Sequence, residues 1–460
     1  MSSCLGATSL RTETAADEDQ PLTVIHAAPP VSPRPALRTW RLTSSGLVEI
    51  TEQNRAQMGA FLDKPKTAKT NCSGEGNGLR YAMASMQGWR VDMEDAHVVE
   101  VSMADRDPYK DWSFFAVFDG HAGNIAADDA AENIMRTLME TPQFEKVTDE
   151  LKQNGGVLCE KSIILLEDGI KAGFLKLDEN IRTRLDSVSR SDDRSGSTAV
   201  CAMITPTHII IANLGDSRAV VSRKDEGSFG TEDHKVSDPF WLCFRALGDF
   251  EYKNVPGLEP NKQLVSPEPD VYVLERQKDK DEFLVVACDG IYDVMENEEL
   301  CRFVESRLHV CDDLNQVCND VLDACLSKGS RDNMTMIVVC FEAAPSIDKE
   351  KVASEQTWKA QMLTTINEVI AEEMSKPGWN ENDEMSIEII LRELAQRNTS
   401  PSAGPVHMLR TLADQVGSSF TLQRFSCRQF RSFSMQFGSD SWLPKLHTPS
   451  VHLSVLFILL

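Results

Sequence analysis

The sequence predicts an α+β fold in which strands line a core and helices cover them. Three observations predict it. Short β-branched runs at 207–213 and 334–341 have the length and composition of strands. Longer runs at 122–139, 163–185 and 298–308 repeat apolar residues at helical spacing. The two kinds are interspersed without internal repeats, and elements that each bury one face must pack in layers. With 41% hydrophobic residues in 460, the chain can bury a sizeable core, and its length allows two or three domains.

Along the chain, residues 1–57 are rich in Ser, Thr, Ala and Pro, as in AAPPVSPRP, and are expected to form a disordered leader. The globular pattern is clear from Leu79 to Phe341. Within it, FFAVFDGHAG at 114–123 runs five apolar residues into Asp119, Gly120 and His121. The same shape recurs in IIIANLGD, which ends at Asp216, and in FLVVACDG, which ends at Asp289 and Gly290. One Asp after a strand is ordinary turn chemistry. Three suggest strand ends converging on something positively charged. Cys311, Cys318 and Cys325 recur at helical spacing and read as one face of a core helix. Residues 345–397 form a helical extension, with patterns at 348–375 and 384–397 and Ile366, Val369 and Ile370 on one face. The KPGWNEND between them breaks the helix at Pro and Gly. Residues 398–460 are expected to be a mostly disordered tail. From 401 onward they carry five Lys or Arg against two Asp and no Glu, and Arg424, Arg428 and Arg431 read as solvated.

Composition narrows the function. A formal net charge of −24 argues against a nucleic-acid binder, whose footprint is usually a basic patch. Twelve cysteines contain no C-x-x-C pair, and no signal peptide opens the chain, which points to a reducing setting: the cytoplasm, extending to the nucleus. The terminal run LSVLFILL is too short to span a bilayer. A monomer without a membrane span is expected.

The acidic residues at strand ends and turns form one constellation. WRVDMEDAH supplies Glu94 and Asp95, VFDGH supplies Asp119, and LGDSR supplies Asp216. CDGIYD supplies Asp289 and Asp293, and GSRDN supplies Asp332. Taken singly, each Asp reads as a surface turn residue. Clustered carboxylates repel and raise one another's pKa, and divalent cations among them relieve this. Oxygen ligands favour Mg²⁺ or Mn²⁺ over Zn²⁺, which prefers His and Cys.

MQGWRVDMEDAH, FAVFDGHAG, SGSTAV, NLGDSRAV, RALGDFEYK, LVSPEPD, ACDGIYDVM and GSRDNMTMIVV occur in the order seen in the metal-dependent protein Ser/Thr phosphatases of type 2C, and the chain resembles that family over about 58–341. MGAFLDKPK at 58–66 resembles the N-terminus of the alpha/beta-type members, and the pattern after 345 resembles their helical extension. The resemblance implies a catalytic domain at 58–344 that is a sandwich of two antiparallel β-sheets flanked by helices, with the metal site at one end. It implies that Asp119 bridges two Mg²⁺ or Mn²⁺ ions, with the Gly120 carbonyl on one and Asp289 and Asp332 on the other. Glu94 and Asp95 would act through metal-bound waters, and Asp216 and Asp293 would hold a looser third ion. Arg90, just before VDMED, is the expected phosphate clamp, since its planar fork matches phosphate oxygens. His121 is the expected general acid for the departing Ser or Thr alkoxide. The implied activity is dephosphorylation of phosphoserine and phosphothreonine proteins by a metal-bridging hydroxide, without a covalent intermediate.

One stretch departs from the family. In DHKVSDPFWLCFRALGDF, residues 233–250, only Phe240 to Phe244 fill the space where members carry a helix, a Gly-Gly turn and a strand. Five residues cannot build a helix of ~10 residues and a strand of ~5. The family segment is therefore expected to be missing, with Phe240, Trp241 and Phe244 plugging the space or forming an exposed patch. This keeps an alternative open: an inactive or weakly active phosphatase-like protein that binds phosphoproteins.

Overall fold

The computed structural model describes residues 61–187, 193–234, 244–377, 387–397 and the single positions 412, 413 and 416. Two large antiparallel sheets form the core. One has the order β1 (Phe61–Gly76), β2 (Leu79–Arg90), β16 (Met334–Cys340), β15 (Asp281–Ala287), β9 (Arg218–Arg223) and β10 (Gly227–Gly230). The other has the order β14 (Asp270–Glu275), β8 (His208–Leu214), β7 (Ala199–Ile204), β4 (Ser113–Phe118) and β3 (Ala96–Glu100).

The strand runs are continuously apolar because both faces of each sheet are covered. In β4, Phe115 and Val117 point between the sheets, where they join Met83, Val200, Ile209, Val221, Leu284 and Ile337. Phe114, Ala116 and Phe118 point the other way. They pack under α1 (Ile125–Met139), α2 (Pro142–Gln153) and α3 (Glu160–Ser187). On the far side, Ala84, Met86, Val285, Met336 and Val338 pack under α5 (Asn297–Leu308) and α6 (Leu314–Lys328). The result is helix–sheet–sheet–helix layering, in which each sheet packs its inner face on the other sheet and its outer face under helices.

Local chemistry sets the element boundaries. The helix expected from 122 starts at Ile125, because Ala122 (φ 56°) and Gly123 (φ 124°) hold left-handed backbone. The globular pattern was expected near Leu79, yet β1 precedes it as an edge strand. Its mostly polar, half-exposed side chains show no alternation to read. Cys318 and Cys325 are buried on α6 as expected. Cys311 lies outside that helix, because the Asp313 side chain accepts from the Asn315 N–H and caps its start.

The extension packs as α7 (Lys349–Ser375) against α8 (Ile387–Gln396), through Trp358, Met362, Ile366, Val369 and Ile370 on one side and Ile390 and Leu394 on the other. Buried Arg307 of α5 donates to Asp320 of α6 at 2.7 Å and to Glu355 of α7 at 2.5 Å, which ties the extension to the main body. No helix among the described residues is long and apolar enough to cross a membrane.

The departure after Pro239 falls between β10 and β14. Phe240 and Trp241 lie outside the described residues, and so does the side chain of Phe244. Among the described residues, each large sheet is continuous and draws strands from both sides of the departure. Residues 244–266 contribute only short pairings: β11 (Phe244–Arg245) runs parallel to β13 (Val265–Ser266), and β12 (Leu247–Gly248) joins β6 (Gly196–Ser197) and β5 (Gly120–His121).

Candidate active site

Several strands end or begin at the same end of the sandwich. Asp119 follows β4, Asp289 follows β15 and opens the short helix α4 (Asp289–Tyr292), and Asp216 follows β8. Glu94 and Asp95 precede β3, Asp332 precedes β16, and Arg90 ends β2. The acidic shapes noted in the sequence therefore converge.

Close packing holds them there. A Cβ on Gly120 would sit 2.2 Å from the Glu94 carbonyl oxygen, and one on Gly290 would sit 2.0 Å from the Asn333 carbonyl oxygen. Only glycine lets these segments approach so closely. Asn333 is the buried hub. Its Nδ2 donates to the carbonyls of Gln87 at 2.8 Å and Asp92 at 3.0 Å, and its Oδ1 accepts the Glu94 N–H at 2.9 Å. Glu94 Oε1 accepts the Gly123 N–H at 2.6 Å.

The electrostatics match a cation site. Burial pushes the Asp119 carboxyl well above the usual carboxylate range, and the charges of Asp95, Asp289 and Asp332 add to it. Burial likewise raises Asp95 to about 7, with Asp332 and Glu94 contributing. Asp289 is raised to about 7 by burial and then by Asp216, Asp332 and Asp293. Asp119 and Asp289 also perturb each other's titration directly. Each group thus feels its neighbours, and both Asp216 and Asp293 reach Asp289.

Asp95 supplies a test of fit. Its Oδ2 accepts from the Thr335 hydroxyl at 2.6 Å, but its buried Oδ1 makes no hydrogen bond of ordinary geometry and has only the weak Cys288 thiol donor beside it. A buried oxygen this poorly paired costs free energy that a cation offsets. The thiol of the cluster, Cys288 Sγ, is fully buried, accepts the Thr335 N–H at 3.2 Å, and has its pKa raised by burial and the surrounding carboxylates. A thiol kept protonated is a poor ligand. The donor set that remains is oxygen, which suits Mg²⁺ or Mn²⁺.

Arg90 stands at the edge of this cluster. Its Nη2 donates to Asp332 Oδ2 at 2.6 Å, while its buried Nε has no partner. Asp332, Asp119 and Asp289 more than offset the burial that opposes its charge. His121 is half-exposed, and its Nε2 lies 2.9 Å from Asp249 Oδ2. Burial disfavours the charged ring, but Asp249, Glu94 and Asp216 outweigh it and hold His121 toward its protonated form. The candidate metal, clamp and acid residues read from the sequence therefore lie in one neighbourhood. Asn333, Thr335 and Asp249 were not singled out, because nothing in their spacing names a partner on a distant segment.

The family profile described as Protein phosphatase 2C matches residues 79–240 and 244–334. The break between these stretches falls on the short apolar run. Over 422 residues, the chain is 48% identical to Protein phosphatase ppm-1.A of Caenorhabditis elegans, spanning 87% of this chain and 88% of that protein. Over 333 residues it is 46% identical to Protein phosphatase 1B of Rattus norvegicus, spanning 68% of this chain and 83% of that protein. A solved serine-threonine phosphatase 2C from Toxoplasma gondii aligns at 19% identity and a TM-score of 0.49, over 60% of this chain and 99% of that one.

Proposed function

The chain belongs to the protein phosphatase 2C family, and on that premise we propose that it hydrolyses phosphoserine and phosphothreonine in proteins with divalent cations held at its strand ends. The observation that carries this reading is the buried carboxylate cluster of Asp95, Asp119, Asp289 and Asp332, with one Asp95 oxygen poorly paired. Asp119, Asp289, Asp332 and the Gly120 carbonyl would hold the ions directly. Glu94 and Asp95 would support them from outside, and Asp216 and Asp293 would serve a looser third ion. When bound, Mg²⁺ or Mn²⁺ offsets the charge of the phosphate dianion and acidifies a water.

The chain's own residues do the rest. Asp332 holds the Arg90 guanidinium through Nη2, so the phosphate clamp is oriented before substrate arrives. His121, kept toward its protonated form, gives a proton to the departing alkoxide of Ser or Thr. No thiol or hydroxyl nucleophile is required, which agrees with the buried, protonated state of Cys288.

A second reading, a weakly active phosphatase-like protein that binds phosphoproteins, is favoured by the family match breaking off between residues 240 and 244. Hydrolysis of a phosphothreonyl peptide with Mn²⁺, compared with the same assay in EDTA, separates the two. The proposed enzyme releases phosphate only with the cation. Binding of the peptide without phosphate release would favour the second reading.

A further inference from the structure

The geometry points to Asp249 as the positioning residue for His121, carried on a loop that a buried Asp178–Lys253 ion pair locks in place. The inference rests on the reading of His121 as the general acid.

The register of the small sheet brings the two residues together. His121 of β5 pairs with Gly196 of β6, and Gly196 pairs on its other side with Gly248 of β12, so Asp249 emerges one strand beyond the histidine. Gly196 lies against both. A Cβ there would sit 2.3 Å from His121 Nε2 and 2.6 Å from Asp249 Cγ. The 2.9 Å contact between the imidazole and the carboxylate therefore closes over a bare glycine.

The loop is held tightly. Asp249 has left-handed backbone (φ 52°), and its N–H donates to the Ser195 carbonyl at 3.0 Å. Gly248, also left-handed (φ 73°), donates its N–H to Asp178 Oδ1 of α3 at 2.8 Å. Lys253 Nζ donates to the same oxygen at 2.7 Å and to the Ala246 carbonyl at 2.9 Å. The Lys253 and Asp178 side chains are only 2% and 7% exposed. A pair this buried contributes little net stability, because desolvation offsets its attraction, but it fixes geometry.

The chemistry follows from the acceptor. An ionised carboxylate only accepts, so His121 Nε2 must carry a hydrogen toward Asp249. That leaves Nδ1 as the nitrogen that exchanges a proton with the leaving oxygen. The tautomer is set before substrate binds.

The test uses the full chain loaded with Mn²⁺. Asp249→Asn keeps the size and tolerates left-handed backbone, and Asp249→Gly removes the side chain at no backbone cost. Turnover is measured on a phosphothreonyl peptide, whose alkoxide needs a proton, and on p-nitrophenyl phosphate, whose phenolate leaves without one. Both variants should lose about tenfold more on the peptide than on the aryl phosphate. Either substitution added to His121→Gln should cost nothing further. Equal losses on the two substrates, or additive losses in the double variants, would overturn the assignment. His121→Gln alone checks the reading beneath it, since equal losses there mean that His121 is not the general acid. A selective loss in His121→Gln with none in either Asp249 variant refutes the positioning role alone. Nitrogen-15 NMR of the His121 ring, taken at a pH where the ring is neutral, needs no turnover. The Nε2–H form should dominate in the wild-type chain and give way to a mixture in Asp249→Gly, whereas an unchanged tautomer would contradict the proposal.

Discussion

Asp119 is the residue whose loss should matter most, since its carboxyl reaches Asp95, Asp289 and Asp332 at once. Asp119→Ala should abolish Mn²⁺-dependent turnover and leave the fold intact. Keeping more than about a tenth of kcat, a loss of only ~1.4 kcal/mol, would be too little for a primary ligand. Arg90→Ala should raise KM for phosphopeptides, and unchanged KM and kcat would remove it from the phosphate site. The carboxyls also predict a pH dependence. Asp95 and Asp289 titrate at about 7 in the folded chain, above ordinary aspartate, so the native state holds more protons than the unfolded chain between the two values. In EDTA, stability from this source should therefore fall as pH rises from about 4 to about 7. Mn²⁺ should reverse the trend, because it replaces those protons. A Tm in EDTA that climbs steadily over that range would contradict the coupling. At this scale the sequence was informative where an Asp ends an apolar run, as at Asp119 and Asp289. It was silent on Asp249, whose partner lies 128 positions away and is found only through the strand register.

Among the elements, the periodic helices were legible to within a few residues. Apolar spacing marked 298–308, and the helix is Asn297–Leu308. β1 was not legible as a strand, because an edge strand with half-exposed polar residues has no period to read. Which helices lock together was also hidden, since it depends on one buried cation. Arg307, 4% exposed, binds Asp320 and Glu355 on two different helices. Arg307→Ala leaves two carboxylates without that partner and should cost about 3–5 kcal/mol in urea denaturation. It should also make α7 more sensitive to proteolysis. A loss under ~1 kcal/mol would place the extension's anchor elsewhere, in the range of an exposed pair.

For the whole molecule, strands lining a core under helices were legible from the two periodicities, the two-sheet sandwich came from the family resemblance, and the strand-end carboxylates agreed with a site at one end of it. The departure after Pro239 was visible as a shortage of residues, but its effect on the sheets was not. Both large sheets draw strands from either side of it. Restoring a family-like helix, turn and strand between Pro239 and Arg245 should raise both Tm and Mn²⁺-dependent kcat, since the departure leads directly into the loop that carries Asp249. Equal values for the two chains would make the segment dispensable. The central claim is that the converging carboxylates hold divalent cations, and it is tested most directly by Mn²⁺ titration calorimetry of the full chain beside Asp119→Ala. Saturable binding that disappears in the variant is the predicted result; identical binding in both chains, or none in either, would contradict it.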